Sequence, residues 1–282
     1  MARPALAAVA RTEDASPTLA RRISTRYRPL DRISTSEVRE MHRLFSRYYE
    51  HASFETFVAD LKRKSGAFLV RRKADGRIVG FSTLAIHRME VDGRPIKGLF
   101  SGDTILEKEY WGSRAFSVAF LLRLVIEALK NPFTPQCWFL ISKGFKTYLL
   151  LSKNFPDHYP RRDREDDGLR RIVEAYCEML FPGVLDRRTM LLDFGAGYNR
   201  LRAEVAPITP ALCRREPDVA FFEQRNPTWR RGTELPTVGR ADLLALVKLA
   251  GLQIWKAIFK PSRSGRDVQE PVGAKPEERS AA

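Results

Sequence analysis

Few side chains in this 282-residue sequence combine a reactive type with a setting that would put them to use. Asp103, in Ser101-Gly102-Asp103-Thr104, interrupts an otherwise apolar run. A carboxylate there must face a cavity or a partner, because burying it bare is costly. Facing a cavity, it is a candidate general base that takes a proton from an attacking nucleophile. Facing a partner, it accepts from neighbouring backbone or pairs with a core arginine. His87 and His158 are the alternative bases. His42 and His51 lack metal-like partners, and no metal is expected. Cys137, Cys177 and Cys213 are too widely spaced for a disulfide framework or a ligand set, so reduced thiols and a cytoplasmic setting are expected.

The elements that must position Asp103 are legible from residue order. A strand around Arg26 to Leu30 precedes Ser34-Thr35-Ser36-Glu37, whose Ser34 and Glu37 have capping-box spacing. Val38, Met41, Leu44, Phe45 and Tyr48 then recur at helical intervals. A second helix follows Ser53, with Phe54, Phe57, Val58 and Leu61 on one face. Three strands come next, Ala67 to Arg71, Ile78 to Val91 and Ile96 to Leu106, joined at Asp75-Gly76 and Asp92-Gly93, which suit tight hairpins. Phe116 to Lys130 reads as a helix buried all round except for one wet stripe, Arg123, Glu127 and Lys130. Cys137 to Ile141 reads as an interior strand and Lys146 to Lys153 as a helix.

This order, β-α-α-β-β-β-α-β-α over about residues 23–160, resembles the GNAT acyltransferase superfamily. The resemblance implies an α/β (α+β) fold, a mixed, mostly antiparallel sheet splayed at its centre and flanked by helices, with a C-terminal extension. It also implies acyl-CoA or acetyl-CoA as co-substrate. Thr104-Ile105-Leu106-Glu107-Lys108-Glu109-Tyr110-Trp111-Gly112-Ser113-Arg114-Ala115-Phe116 looks like the family's fourth strand, phosphate loop and following helix. In that likeness the backbone of Ile105 and Leu106 pairs with the pantetheine amides. Gly112, Ser113, Arg114, Ala115 and Phe116 then hold the pyrophosphate at a helix N-terminus. The family's Arg/Gln-x-x-Gly-x-Gly appears here with Trp111, Arg114 and Phe116 at the three defining positions. Ser142 to Phe155 looks like the fifth strand and fourth helix, with Asn154-Phe155 in place of Gly-Phe. The tyrosine that protonates the leaving thiolate falls on Leu150 in that register, and Tyr148, two positions away, is the candidate acid. Asp103 is the base that the reaction needs.

The remainder reads as an extension (161–240) completing or capping the core, an apolar helix (241–260) and two disordered tails (1–22 and 261–282). Asp166 to Leu180 has the pattern of a helix charged on one side, and Thr189 to Phe194 and Val219 to Glu223 read as strands. Met190 to Tyr198 imitates the Gly-rich turn of an S-adenosylmethionine-dependent methyltransferase, but the βα units such a fold needs do not follow. Tyr198, Arg200, Asn226 and Trp229 lie in loops of the kind that carry specificity and are acceptor-site candidates. In 241–260, Lys248 and Lys256 can share a helix face, so the segment either lies in a membrane interface or docks on the core or a second subunit. No run reaches the 18 to 20 apolar residues of a membrane span.

A charge of +15 favours anionic partners, and residues 61–153 hold 17 Lys/Arg against 7 Asp/Glu. An acidic acyl carrier protein is therefore an alternative donor to acyl-CoA. Nucleic acid is not expected, since the arginines are scattered and no recognition motif is present. The expected function is transfer of an acyl group from a thioester to a small-molecule or lipid-like amine. A non-catalytic binding protein that keeps the fold without the cofactor site is the alternative.

Overall fold

The structure is a computed structural model that describes residues 22–48, 53–110, 115–195 and 208–248. Both tails, Trp111, Gly112, Ser113, Arg114, Tyr198, Arg200, His51 and most of 241–260 lie outside them.

Strand β1 (Ile23–Pro29) leads to α1 (Thr35–Ser46). At its start the Ser34 side chain accepts from the Glu37 N–H while Glu37 accepts from the Ser34 N–H, satisfying two end donors. Ser53 caps α2 (Phe54–Leu61) in the same position. Strands β2 (Gly66–Arg72), β3 (Ile78–Val91) and β4 (Arg94–Leu106) form an antiparallel meander, with β1 added to its edge. Gly76 and Gly93 adopt positive φ in the two turns, where a side chain would be strained.

Helix α3 (Ala115–Lys130) crosses to β5 (Gln136–Ser142), which runs parallel to β4. Helix α4 (Phe145–Ser152), β6 (His158–Tyr159) and α5 (Asp167–Leu180) follow. A small hairpin of β7 (Leu185–Asp186) and β8 (Leu191–Leu192), helices α6 (Pro210–Arg215) and α7 (Pro217–Arg225), and β9 (Leu235–Arg240) complete the named elements. The main sheet has the order β1-β2-β3-β4-β5-β9-β6, and β4/β5 is its parallel pair. This is the mixed, mostly antiparallel, helix-flanked architecture expected from element order.

Helix α3 covers one face of the sheet, where Phe116, Phe120, Leu124 and Ala128 meet Phe68, Val70, Leu99 and Trp138. On the other face α1 and α2 cover β2 and β3, while Tyr176 and Val173 of α5 cover β4 and β5. Gly98 permits that second contact: a Cβ there would lie within 2.7 Å of Tyr176 Cζ.

Two expectations change. Val219–Glu223 is part of α7 rather than a strand: Pro217 suits a first helical position, and Val219 and Phe222 share its buried face. The stripe Arg123-Glu127-Lys130 is wet only at Lys130. Glu127 is buried and takes ion pairs from Lys97 (3.1 Å), Arg123 (2.6 Å) and Lys130 (2.7 Å), and the Arg123 guanidinium stacks over Tyr27. Burial opposes ionisation of Glu127, yet the bonds from Lys130 and Lys97 hold its pKa below the ordinary value.

Candidate functional site

The centre of the sheet opens where β4 and β5 part. Their ladder runs from Lys97/Gln136 to Phe100/Phe139 and goes no further, although β4 extends to Leu106 and β5 to Ser142. At the apex the Trp138 indole N–H donates to Ser101 Oγ at 2.9 Å, tying the arms together before they diverge. On its other edge β5 pairs with β9 throughout, from Cys137/Arg240 to Ser142/Leu235, so only the edge toward β4 is freed. The two strands thus frame a wedge whose walls are strand edges.

Asp103 sits on the β4 wall. The β3/β4 register shifts between Phe81/Ile105 and Thr83/Gly102, so β4 carries an extra residue there, and Asp103 adopts φ 38°. Such a bulge re-aims side chains, and aspartate tolerates the left-handed region better than most residues. Asp103 is buried, and its Oδ2 accepts from Thr83 Oγ1 at 3.3 Å. Beside it the buried Lys64 ammonium stands 5.1 Å from the centre of the Phe100 ring. Ile105 and Leu106 point their side chains into the cores on opposite sheet faces.

The far side of β5 carries a pair not singled out from sequence. Glu234, immediately before β9, is fully buried, with the Lys143 ammonium 3.3 Å from its Oε1. Beyond Lys143, neither oxygen has a hydrogen-bond partner among the described residues. Burial pushes its pKa up from 4.5 to about 7 against the opposing pull of Lys143. Nothing in Thr233-Glu234-Leu235-Pro236 marks the residue out, because its burial comes from the strands around it.

The raised pKa has a consequence for stability. Folded protein keeps the Glu234 proton where the unfolded chain has lost it, so this contribution is complete below pH 4.5 and disappears as pH rises through about 7. The loss amounts to about 3 kcal/mol for a shift of this size. Urea denaturation at pH 5 and pH 8 should show that fall relative to Glu234→Gln. Equal pH dependence in both proteins would mean that the carboxylate is not held in this way.

The other predicted site residues are placed as follows. Tyr148 is fully buried on α4, its hydroxyl donates to the Pro160 carbonyl at 3.1 Å, and burial raises its pKa well above the ordinary value. Its ring packs with Phe221 and Phe222, which makes it a core aromatic rather than the thiolate's acid. Phe116 is buried against Phe68, so its ring points into the core. Ala115 is the first residue of α3.

Asn226 and Trp229 are corrected as acceptor contacts. Buried Asn226 donates to the Thr233 carbonyl at 2.9 Å and accepts from Thr233 Oγ1 at 2.6 Å, closing its own loop. Trp229 is buried with Phe145, Phe222 and Leu235. His158 is buried with Nδ1 2.7 Å from the Phe155 carbonyl, while His42 packs on Phe54 and Phe57. His87, half-buried, has its pKa lowered by burial and by Lys64. Cys137 is buried, which pushes its thiol up to about 12. Among the described residues no three His, Cys, Asp or Glu side chains gather as a metal site.

No protein-family model and no curated protein sequence matches this chain. Among solved structures it is similar to a probable N-acyltransferase from Enterococcus faecalis V583, at 14% identity and TM-score 0.37 over 46% of this chain and 31% of that one. It thus spans about a third of that protein's length. It is also similar to the GNAT family N-acetyltransferase YhbS from Escherichia coli in complex with CoA, at 13% identity and TM-score 0.35, over 51% of this chain and 72% of that one. A Trypanosoma brucei acetyltransferase shows 18% identity and TM-score 0.36 over 51% of this chain and 99% of its own.

Proposed function

We propose that this protein transfers an acyl group from a thioester to an amine, with the wedge between β4 and β5 as the donor site. The observation that carries this reading is the parting of two parallel strands after Phe100/Phe139 in the middle of the sheet. A strand edge facing a wedge can pair with an extended chain bearing amides, and the pantetheine arm of a thioester donor is such a chain. Attack by the amine on the thioester carbonyl produces a tetrahedral oxyanion and a surplus proton on nitrogen. In this reading Asp103 takes that proton, directly or through water, and the ammonium of Lys64 supports negative charge nearby. Collapse then expels the thiolate and leaves the amide.

Acyl-CoA is the first donor to test. Acyl carrier protein is the second, favoured by the excess of Lys/Arg in residues 61–153, which suits an acidic protein surface. Titration calorimetry with acetyl-CoA, a long-chain acyl-CoA and free CoA should give micromolar binding to at least one acyl-CoA, and a supplied amine should release free thiol. Absence of both, repeated with an acylated carrier protein, would overturn acyl transfer and leave a binding protein.

A further inference from the structure

Helix α3 buries an apolar face on the sheet and leaves a second apolar row outside. Its one acidic residue and its one arginine face the sheet, with Glu127 3% exposed and Arg123 over Tyr27. Its outer side presents Val118, Leu122, Ile126 and Leu129, one residue per turn along about 17 Å of helix. Leu122 is 58% exposed, and Phe133, in the turn after the helix, is 98% exposed. The chain returns to the same layer near its end: residues 243–248 are helical, with Leu246 in the cluster that α3 builds and Leu244, Val247 and Lys248 outside. Gln136 ties the two helices, its amide donating to the carbonyls of Leu124 and Ala241.

We infer that this layer is a docking surface for an anionic lipid bilayer. Apolar residues aligned on one side of a surface helix mark an interaction face, and the charge of the chain selects among occupants. A second copy brings another +15 and is repelled, whereas acidic headgroups are attracted. Past Lys248 the sequence continues Leu249-Ala250-Gly251-Leu252-Gln253-Ile254-Trp255-Lys256-Ala257-Ile258-Phe259-Lys260. Lysines spaced among apolar residues beside a tryptophan have the chemistry of the membrane interface. The exposed row of α3 suits such a surface, since Arg123 and Glu127 are neutralised internally and the aliphatic side chains outside are left to the acyl-chain boundary. This inference stands independently of acyl transfer.

Co-flotation of the full chain with phosphatidylglycerol/phosphatidylcholine vesicles tests it. Wild type should bind these vesicles and bind pure phosphatidylcholine less. Leu122→Gln/Leu129→Gln should lower partitioning about tenfold or more, since each exchange removes an inserted aliphatic group. Phe133→Ser, outside the helix, should lower it severalfold with no change in thermal melting, which guards against a folding defect in the double variant. Undiminished binding by all variants would overturn the surface assigned here. Failure of wild type to bind would overturn the bilayer: a dimer in size-exclusion chromatography would then assign the face to a second copy, and a monomer to the chain's own residues past Lys248.

Discussion

Asp103→Asn is expected to lower acyl-transfer turnover by about 10²- to 10⁴-fold, the range for loss of a general base. Folding should survive, because asparagine also accepts the positive φ of 38° at this bulge and still offers an oxygen to Thr83 Oγ1. Asp103→Ala, by contrast, places an ordinary side chain in the left-handed region and strains the backbone by about 1 kcal/mol, so asparagine separates chemistry from structure. Steady-state kinetics with the acyl donor identified by calorimetry, alongside thermal melting, reads both effects. Unchanged turnover in a folded Asp103→Asn protein would remove Asp103 as the base, and Glu234, beyond β5 with a pKa of about 7 beside Lys143, is the next carboxylate to test. Glu234→Gln kinetics would then carry the same expectation.

The second large effect is structural. Gly98→Ala should destabilise the protein by about 3 kcal/mol, the upper part of the range for overpacking a filled core. The added methyl would meet the Tyr176 ring, with Cζ and Oη at 2.7 and 2.8 Å. Tyr176 cannot retreat easily: it is fully buried and stacks on Phe139 with ring centres 4.3 Å apart. Chemical denaturation measures the loss directly. Tyr176→Leu in the Gly98→Ala background should restore part of it by removing the clashing ring atoms. A Gly98→Ala protein as stable as wild type would show that α5 can lift from β4 at little cost. Such freedom would matter for the wedge, because Gly98 lies in the part of β4 that still pairs with β5.

Local chemistry explains why so much of the first half was legible. Ser34/Glu37 and Ser53 mark helix starts by hydrogen bonds that span three residues, and Asp75-Gly76 and Asp92-Gly93 mark turns by the φ angles they tolerate. Strand β9 escaped notice for the opposite reason. Leu235-Pro236-Thr237-Val238-Gly239-Arg240 has a proline and a glycine in a short run, and it becomes a strand because β5 offers an unpaired edge. Pro236 lies beyond the reach of β6, which pairs only with Val238 and Gly239, and Gly239 leaves room for the Phe155 ring. Of the site, Asp103 could be picked out because a carboxylate in an apolar strand is anomalous in any register. Tyr148, Asn226 and Trp229 could not be judged in this way, since an aromatic or amide near a loop reads alike whether it faces ligand or core.

Helix α3 draws the boundary most sharply. By itself the sequence determined the element order, the meander, the caps and the grouping of Arg123, Glu127 and Lys130 on one helical stripe, all consequences of spacing along the chain. Tertiary structure alone decided which way that stripe points, because Lys97 arrives from β4 and Tyr27 from β1 to receive it. It likewise decided that β4 and β5 part after Phe100/Phe139 and that Glu234 is enclosed beside Lys143. Periodicity specifies the residues that share a face; the partner that face meets depends on groups distant in sequence, whose charges and volumes become neighbours only when the chain has folded.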